Sequence, residues 1–471
     1  MNVKCLKLLL LAVSLCSQAA VAQKVINYEA GMGSRKADDA DVWILYEKVK
    51  AEHEGMWLYA DSALLNTKKN DFTAYRNIKI IVNDTTTITG DSMYYDGTTR
   101  VVNIWGDSAV LVDGATVLKS PQLSYDRNQS RATYFWWGHT VNGTRTLDSR
   151  KGFYYSDTED FEIYDEVTLR DSSSRLETDT LFYNMHTEDA FFVGPSVIYS
   201  DSTTIYSLYG TYNTARRIAY SYEGSKVVNG SKILTGDTLF FDDSLRYGEA
   251  LSRVCIHDTA NSITCTGRYG EMNHLLRYSY VTDSAHVLFV SDGDSLFMHG
   301  DTVYVMTDST SQLASVRANF KVKVFRHDAQ AMCDSAYYSA TDSILTLYNN
   351  PVLWYDHYQC SADTIELHHD SAGMTRAYLR SNCFALQQVD LMKFNQLKGL
   401  QGIVYFHQGE PLYADILGNA QLVYYLTEED EAGNPQLVGA NAGVGTDMRI
   451  YFDTNRAVSR VVTYDNPDMQ T

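Results

Sequence analysis

A turn-forming residue recurs seven times at an interval of 29 positions: Asp84, Asp113, Asn142, Asp171, Ser200, Asn229 and Asp258. Roughly six residues after most of these turns comes a second element of the form Gly/Ala-Asp-Ser/Thr-x-x-aromatic. It is clearest in Thr89-Gly90-Asp91-Ser92-Met93-Tyr94-Tyr95, Glu177-Thr178-Asp179-Thr180-Leu181-Phe182-Tyr183 and Thr235-Gly236-Asp237-Thr238-Leu239-Phe240-Phe241. A chain with such a period folds as an array in which each unit buries its apolar face against its neighbours. One long repeated object is expected, with any function spread along it.

The units read as strands. Only 6 prolines accompany 35 tyrosines and 17 phenylalanines, a balance that favours strands over helix or disorder. Asp96-Gly97, Asp113-Gly114, Asn142-Gly143, Asn229-Gly230 and Asp292-Gly293 are hairpin signals. Tight turns join antiparallel strands, which argues against a parallel β-helix. Residues 24–40 read as a leader strand and polar entry. The stretch Asp41 to Glu54 reads as a strand, because Val42-Trp43-Ile44-Leu45-Tyr46 is β-branched and aromatic. Beyond about residue 290 the acid of the second element falls at Asp301, Asp334 and Asp363, intervals of 33 and 29 that imply one lengthened loop.

Side-chain parity gives an inside and an outside. The second and fourth residues after the acid (Pro121 replaces it once) are Met93/Tyr95, Leu123/Tyr125, Leu181/Tyr183, Leu239/Phe241, Val303/Val305, Ala336/Tyr338 and Ile365/Leu367. All are apolar or aromatic, whereas the first and third are mixed, and alternate residues of a strand face opposite sides. A second wall is expected two residues before each turn, from Val82, Leu111, Leu169, Ile198, Val227 and Ile256, with Thr140 as the polar exception. Two facing apolar walls are either an ordinary sandwich core or the lining of an apolar channel. Small residues four before the turns, such as Ala109, Gly138, Ser196 and Ser225, leave room for the second.

The ends and the charge narrow the setting. Lys4 and Lys7, the apolar run Leu8 to Leu15 and Ala20-Val21-Ala22 read as a secretory signal over residues 1–22, cleaved before Gln23. Leu15 is too bulky for lipid attachment at Cys16, and the apolar run is too short to span a bilayer. The formal charge of −19 becomes −21 without Lys4 and Lys7, which disfavours nucleic acid as a partner. Five cysteines remain (Cys255, Cys265, Cys333, Cys360 and Cys383), an odd number at wide spacing that does not fit a disulfide scaffold of the small secreted kind. A pair such as Cys255 and Cys265 stays open as a possible bridge.

The order Tyr59-Ala60-Asp61-Ser62-Ala63-Leu64-Leu65, Asn70-Asp71-Phe72-Thr73-Ala74-Tyr75-Arg76-Asn77-Ile78-Lys79-Ile80, Thr89 to Asp96 resembles the OstA-like family. That family takes in the lipopolysaccharide-transport protein LptA and the amino-terminal domain of the translocon LptD. Near the carboxyl end, Lys393-Phe394-Asn395-Gln396-Leu397-Lys398-Gly399, Gly418-Asn419-Ala420 and Leu422-Val423-Tyr424-Tyr425 look like the last units of its longer members. The resemblance implies an all-β fold, an elongated antiparallel open β-jellyroll. It implies a continuous array over 41–465, after a polar entry at 23–40 and before a tail at 466–471. It also implies a periplasmic carrier that shields lipid A acyl chains in an apolar groove and bridges the two membranes, pairing end to end by strand edges with other transport proteins. No cofactor is implied. With no run of amphipathic barrel strands before Thr471, the chain is not expected to be a complete translocon. Met93, Tyr95, Leu123, Tyr125, Leu181, Tyr183, Leu239 and Phe241, with the second wall, are the expected groove lining.

Catalytic and metal motifs are weak. Gly293-Asp294-Ser295-Leu296 spells an esterase signature, but that chemistry needs a strand-to-helix turn in an α/β fold. His368-His369-Asp370 and Cys255-Ile256-His257 lack the paired spacing of a zinc site. The repeated acids lack the dense glycine pattern of calcium-binding repeats and are expected at strand entry, accepting backbone or Ser/Thr hydrogen bonds. No enzyme is expected. The competing reading is a structural or adhesive surface β-repeat protein without lipid cargo.

Overall fold

Aromatic and β-branched residues at alternate positions, punctuated by Asx-rich turns, produce strands throughout. The computed structural model describes residues 24–291, 294–371, 373–389, 391–429, 435–465 and 468–470. Among these, all regular elements are strands and the strand pairings are antiparallel. The secretory signal and the Asp292-Gly293 turn lie outside the described residues. The chain divides into two compact units, Met1–Phe191 and Phe192–Thr471, with the boundary inside the strand Asp189–Ser200.

In the first unit the entry segment forms short strands, Asn27–Glu29 and Met32–Lys36, both paired with Asp39–His53. That strand contains the stretch expected to be extended up to His53, and Glu54 falls in the turn that follows. From there the chain runs as hairpins through Met56–Asn66, Asp71–Ile81, Thr86–Asp96, Val101–Asp113 and Thr116–Asp126. The second unit continues likewise through Thr203–Asn213, Ile218–Asn229, Lys232–Asp242, Tyr247–Asp258 and Ile263–Asn273.

The 29-residue interval has a physical cause. Several turn residues reach back one hairpin to a threonine hydroxyl at a strand start. Thr86 Oγ1 donates to Asp113 at 3.0 Å, Asn142 Nδ2 donates to Thr116 Oγ1 at 2.9 Å, and Asn229 Nδ2 donates to Thr203 Oγ1 at 2.7 Å. At the opposite hairpin ends a second Asx series caps four-residue turns. The Asp96 carboxylate accepts from the Thr98 and Thr99 amides, and the Asn184 side-chain carbonyl accepts from those of His186 and Thr187.

Midway along most strands the ladder breaks, with two residues facing one across the pair. The two residues are commonly left-handed: Glu47-Lys48, Arg76-Asn77, Asp165-Glu166, Glu223-Gly224, Ser252-Arg253, Asp283-Ser284 and Phe320-Lys321. The single residues facing such breaks include Asp61, Asp91, Asp179, Asp237, Asp301 and Asp334. Pro121 faces a break of three residues, Gly106 to Ser108. The repeated acid therefore sits mid-strand and not at strand entry. Its bonds go mostly to the next strand's bulge: Asn77 Nδ2 donates to Asp61 at 2.7 Å, Arg253 Nε to Asp237 at 2.8 Å and Asn349 Nδ2 to Asp334 at 3.1 Å. Proline is acceptable at this position because a residue facing a bulge has no ladder bond to lose.

At each break the buried parity reverses. In Thr86–Asp96, Thr86 and Ile88 are buried before Asp91, and Met93 and Tyr95 after it. Each strand thus supplies one half to each of two walls, both facing inward. The walls touch: a β-carbon at Gly248 would lie 3.0 Å from Phe241 on one side and 3.1 Å from Leu234 on the other.

Two tests follow from this construction. A non-glycine left-handed residue costs about 1–2 kcal/mol, and Phe320 has φ 61° with its ring largely exposed. Phe320→Gly is expected to be neutral or to stabilise by up to about 1 kcal/mol, and Phe320→Val to destabilise by about 1–2 kcal/mol, in urea titrations. Lys232 is buried, its Nζ 3.4 Å from Ser279 Oγ. Burial pushes its pKa below the ordinary lysine value, although Asp258 pulls the other way. The unfolded chain then binds the extra proton between the two values, so stability rises as pH climbs toward the ordinary lysine pKa. Lys232→Met should stabilise the protein at neutral pH and flatten that slope.

Candidate functional site

The expected lining residues lie on strands except Val82, which follows the strand Asp71–Ile81, and nearly all point inward. Met93, Tyr95, Leu123, Tyr125, Leu181, Tyr183, Leu239 and Phe241 are at most 1% exposed. Leu111, Leu169, Ile198, Val227 and Ile256 of the second wall are also buried. Val82 is the exception, only half-buried, and Ile80 takes its place inside. A three-residue loop follows Val82, whose amide donates to Thr86 O at 3.0 Å. That loop and the extra bulge residue before Ala109 move the wall position two residues ahead of the periodic count.

These rows are shut. Tyrosine hydroxyls tie several of them to the hairpin ends: Tyr95 Oη lies 2.6 Å from His53 Nδ1, Tyr125 Oη 3.2 Å from Ser156 Oγ, and Tyr154 Oη donates to Asp113 at 2.8 Å. Desolvation holds these phenols above their ordinary pKa, so they stay neutral hydroxyls. The rings span the space between walls and fill it.

Open apolar space lies near the carboxyl end of the second unit, where sequence reasoning had not placed the site. A cavity of about 110 Å³ is bounded by two walls. One is the cross-strand row Leu353–Cys360–Ala385–Leu397–Leu422, and the other contains the rows Ala377–Val404–Ala414–Ile450 and Leu379–Gly402–Ile416. Small residues, Ala377, Ala385, Gly402 and Ala414, contribute to both walls, and Ala385 stands where the second wall elsewhere carries Leu111, Leu169 or Ile256. The lining carries no charged group; its polar members are Gln387, Asn395 and Gln396 with the tyrosines Tyr355, Tyr358 and Tyr424.

These residues occupy the same repeat position as the shut rows. Leu400 and Thr446 are the single residues opposite the bulges Ser381-Asn382 and Gly418-Asn419, and two and four residues later come Gly402/Val404 and Met448/Ile450. Neither unit has an acid at that point, so the motif did not mark them. Ala385, in place of a large aliphatic residue of the second wall, was the available signal.

The other candidates do not assemble. Ser295 lies on a strand opposite Val290, not on a strand-to-helix turn. His368 and His369 go separate ways, edge-on to Tyr378 and stacked on Tyr338. Cys255 pairs in register with Thr266 while Cys265 pairs with Ile256, which places the two thiols on opposite faces of the sheet. All five described cysteines are free. No helix long and apolar enough to cross a membrane occurs among the described residues.

Comparison with known families agrees with the strand pattern. Residues 23–179 and 162–237 each match the family described as OstA-like protein. Together the matches span residues 23–237, just under half of the chain. A structural likeness is found to the crystal structure of LptH from Pseudomonas aeruginosa, described as the LptA-homologous periplasmic component of the conserved lipopolysaccharide transport device. It has 13% identity and a TM-score of 0.19, covering 30% of this chain and 83% of that one. Comparison with curated proteins gives no match. The OstA-like match ends well before the cavity, whose lining begins at Leu353.

Cys360 and Cys383 both line the cavity, and burial pushes each thiol up to about 12. Against an ordinary thiol pKa of about 8.5, the thiolate at pH 8 is on the order of a thousandfold scarcer. A charged alkylating reagent should therefore label buried Cys383 only after denaturation and half-buried Cys360 slowly, whereas Cys255, equally half-buried, should react first in the native protein, as peptide mass mapping would show.

Proposed function

We propose that this OstA-like protein is a non-enzymatic periplasmic carrier in lipopolysaccharide transport, holding acyl chains between its two walls while sugars and phosphates remain in water. The observation that carries the proposal is the charge-free cavity between facing walls. It supports binding of hydrocarbon because apolar surface removed from water contributes about 0.8 kcal/mol per methylene. Size then sets how binding works. At about 110 Å³ the cavity is smaller than the roughly 150 Å³ of an engineered apolar cavity that takes up benzene. It admits the end of one chain, and a whole lipid requires the walls to part. Parting is easiest where alanine and glycine interlock least, and cargo enters there.

A second reading has its own support. The shut rows of the first unit, with Tyr95 and Tyr125 anchored by their hydroxyls, have the construction of a permanent core. On that reading the array is a spacer, and only the carboxyl end handles lipid, or none of it does.

Photo-reactive residues separate these outcomes. Placed at Val404 and Leu397, they are expected to give lipopolysaccharide adducts in living cells, and outward-facing Ile403 is expected to give none. The same residue at Leu181, with Thr180 as its outward control, reports whether the shut rows open. Adducts at Val404 without any at Leu181 identify a spacer with a lipid-binding end. Adducts at neither overturn the carrier role.

A further inference from the structure

On the outer face of the second unit, strands Tyr278–Ser291 and Asp294–Thr307 pair in a register that sets His286 directly opposite His299. Flanking Ala285, Val287 and Met298 are buried, so both imidazoles project away from the interior. The ring centroids are 4.6 Å apart at an interplanar angle of 41°. His299 Nδ1 is closed off from solvent and has no hydrogen-bond partner. Ordinary packing of two neutral rings leaves that nitrogen unsatisfied, which is costly for a buried polar atom.

We propose that His286 and His299 chelate one divalent late first-row transition ion, Cu²⁺ most tightly, with Ni²⁺ and Zn²⁺ weaker. Two imidazoles bound through nitrogens about 2.0–2.1 Å from one ion, at angles between a right angle and the tetrahedral value, have centroids about 4.5–5.2 Å apart. The observed spacing falls in that interval without rearrangement of the strands. A neutral imidazole donor pair favours Cu²⁺, Ni²⁺ and Zn²⁺ over the oxygen-seeking Mg²⁺ and Ca²⁺. Among the described residues no group of three or more His, Cys, Asp or Glu completes a cage. Water therefore fills the remaining positions, and the ion is exchangeable, not structural. Thr266 lies opposite His286 and Lys323 opposite His299 in the same cross-strand row. The lysine charge opposes the cation and lowers the affinity. The site is separate from the proposed lipid cavity, and its test does not depend on that proposal.

The experiment is calorimetric titration of the untagged full chain with Cu²⁺, Ni²⁺, Zn²⁺ and Mg²⁺ at pH 7.5. Expected is one site whose Cu²⁺ affinity falls at least tenfold in His286→Asn and in His299→Gln, with no Mg²⁺ binding. Lys323→Gln should tighten binding severalfold. Lowering the pH to 5.5 should weaken it at least tenfold as protons compete for the imidazoles. His357→Asn, an exposed histidine elsewhere, is the control and should leave the site unchanged. His286 is exposed, so its variant keeps the fold even if that of His299 does not. Wild-type Cu²⁺ affinity in His286→Asn, or an equal loss in His357→Asn, would overturn the assignment.

Discussion

The whole construction depends on the mid-strand bulge. A β-strand that alternates without interruption has one inward face and lines one wall. Here two left-handed residues opposite one reverse the parity, so a single strand lines both walls. Left-handed non-glycine residues are unfavourable, and their recurrence requires compensation. It comes from hydrogen bonds that cross to the next strand, Asn77 to Asp61, Arg253 to Asp237 and Asn382 to Asp363. Glycine removes the steric cost outright at Gly224 and Gly418, both with positive φ. The repeated acid is thus a structural fastening of the fold's corner. Its recurrence follows from geometry, with no bound ion required.

Given two walls fixed by that corner, the residues two and four beyond it decide whether the interior is filled. Tyrosine, phenylalanine and leucine there reach the opposite wall and close it, as at Tyr95, Tyr183 and Phe241. Ala385, where the second wall elsewhere carries leucine, isoleucine or valine, does not reach, and with Gly402, Ala377 and Ala414 beside it a cavity remains. Filling and opening are therefore set by side-chain volume at equivalent positions on one backbone plan. That makes a closed stretch and an open stretch in the same chain easy to encode.

Much of this was legible in the amino-acid order. The acid and its apolar followers gave the inward parity of Met93, Leu123, Leu181 and Leu239, and the aromatic content gave strands. Even Pro121, the departure from the acid, marks a bulge-facing position where no ladder bond is needed. What was not legible depended on insertions and absences. Val82 was placed inside because the 29-residue count cannot detect a longer loop cancelled by an extra bulge residue. The cavity was missed because Leu400 and Thr446 replace the acid that would have marked it. The shut state of the first unit was also hidden, since a row of inward aromatics is compatible with both a channel and a core. Only the opposing wall, brought close by tertiary packing, distinguishes them.

Charge constrains how any anionic amphiphile can be held. A chain with a formal charge of −19 repels phosphate, and at physiological salt that repulsion still acts within about 8 Å of the surface. A grip on headgroups would need a basic surface, yet cations on the outer faces are commonly paired with acids, as Arg380 with Glu366, Arg449 with Asp415 and Arg456 with Glu410. Hydrocarbon chains feel no such repulsion, and the cavity presents them with no charge of either sign. The acidic exterior then favours keeping the headgroup at a distance while the chain end is buried. A cargo held only by its chains exchanges readily, because no polar bond must break for it to move on.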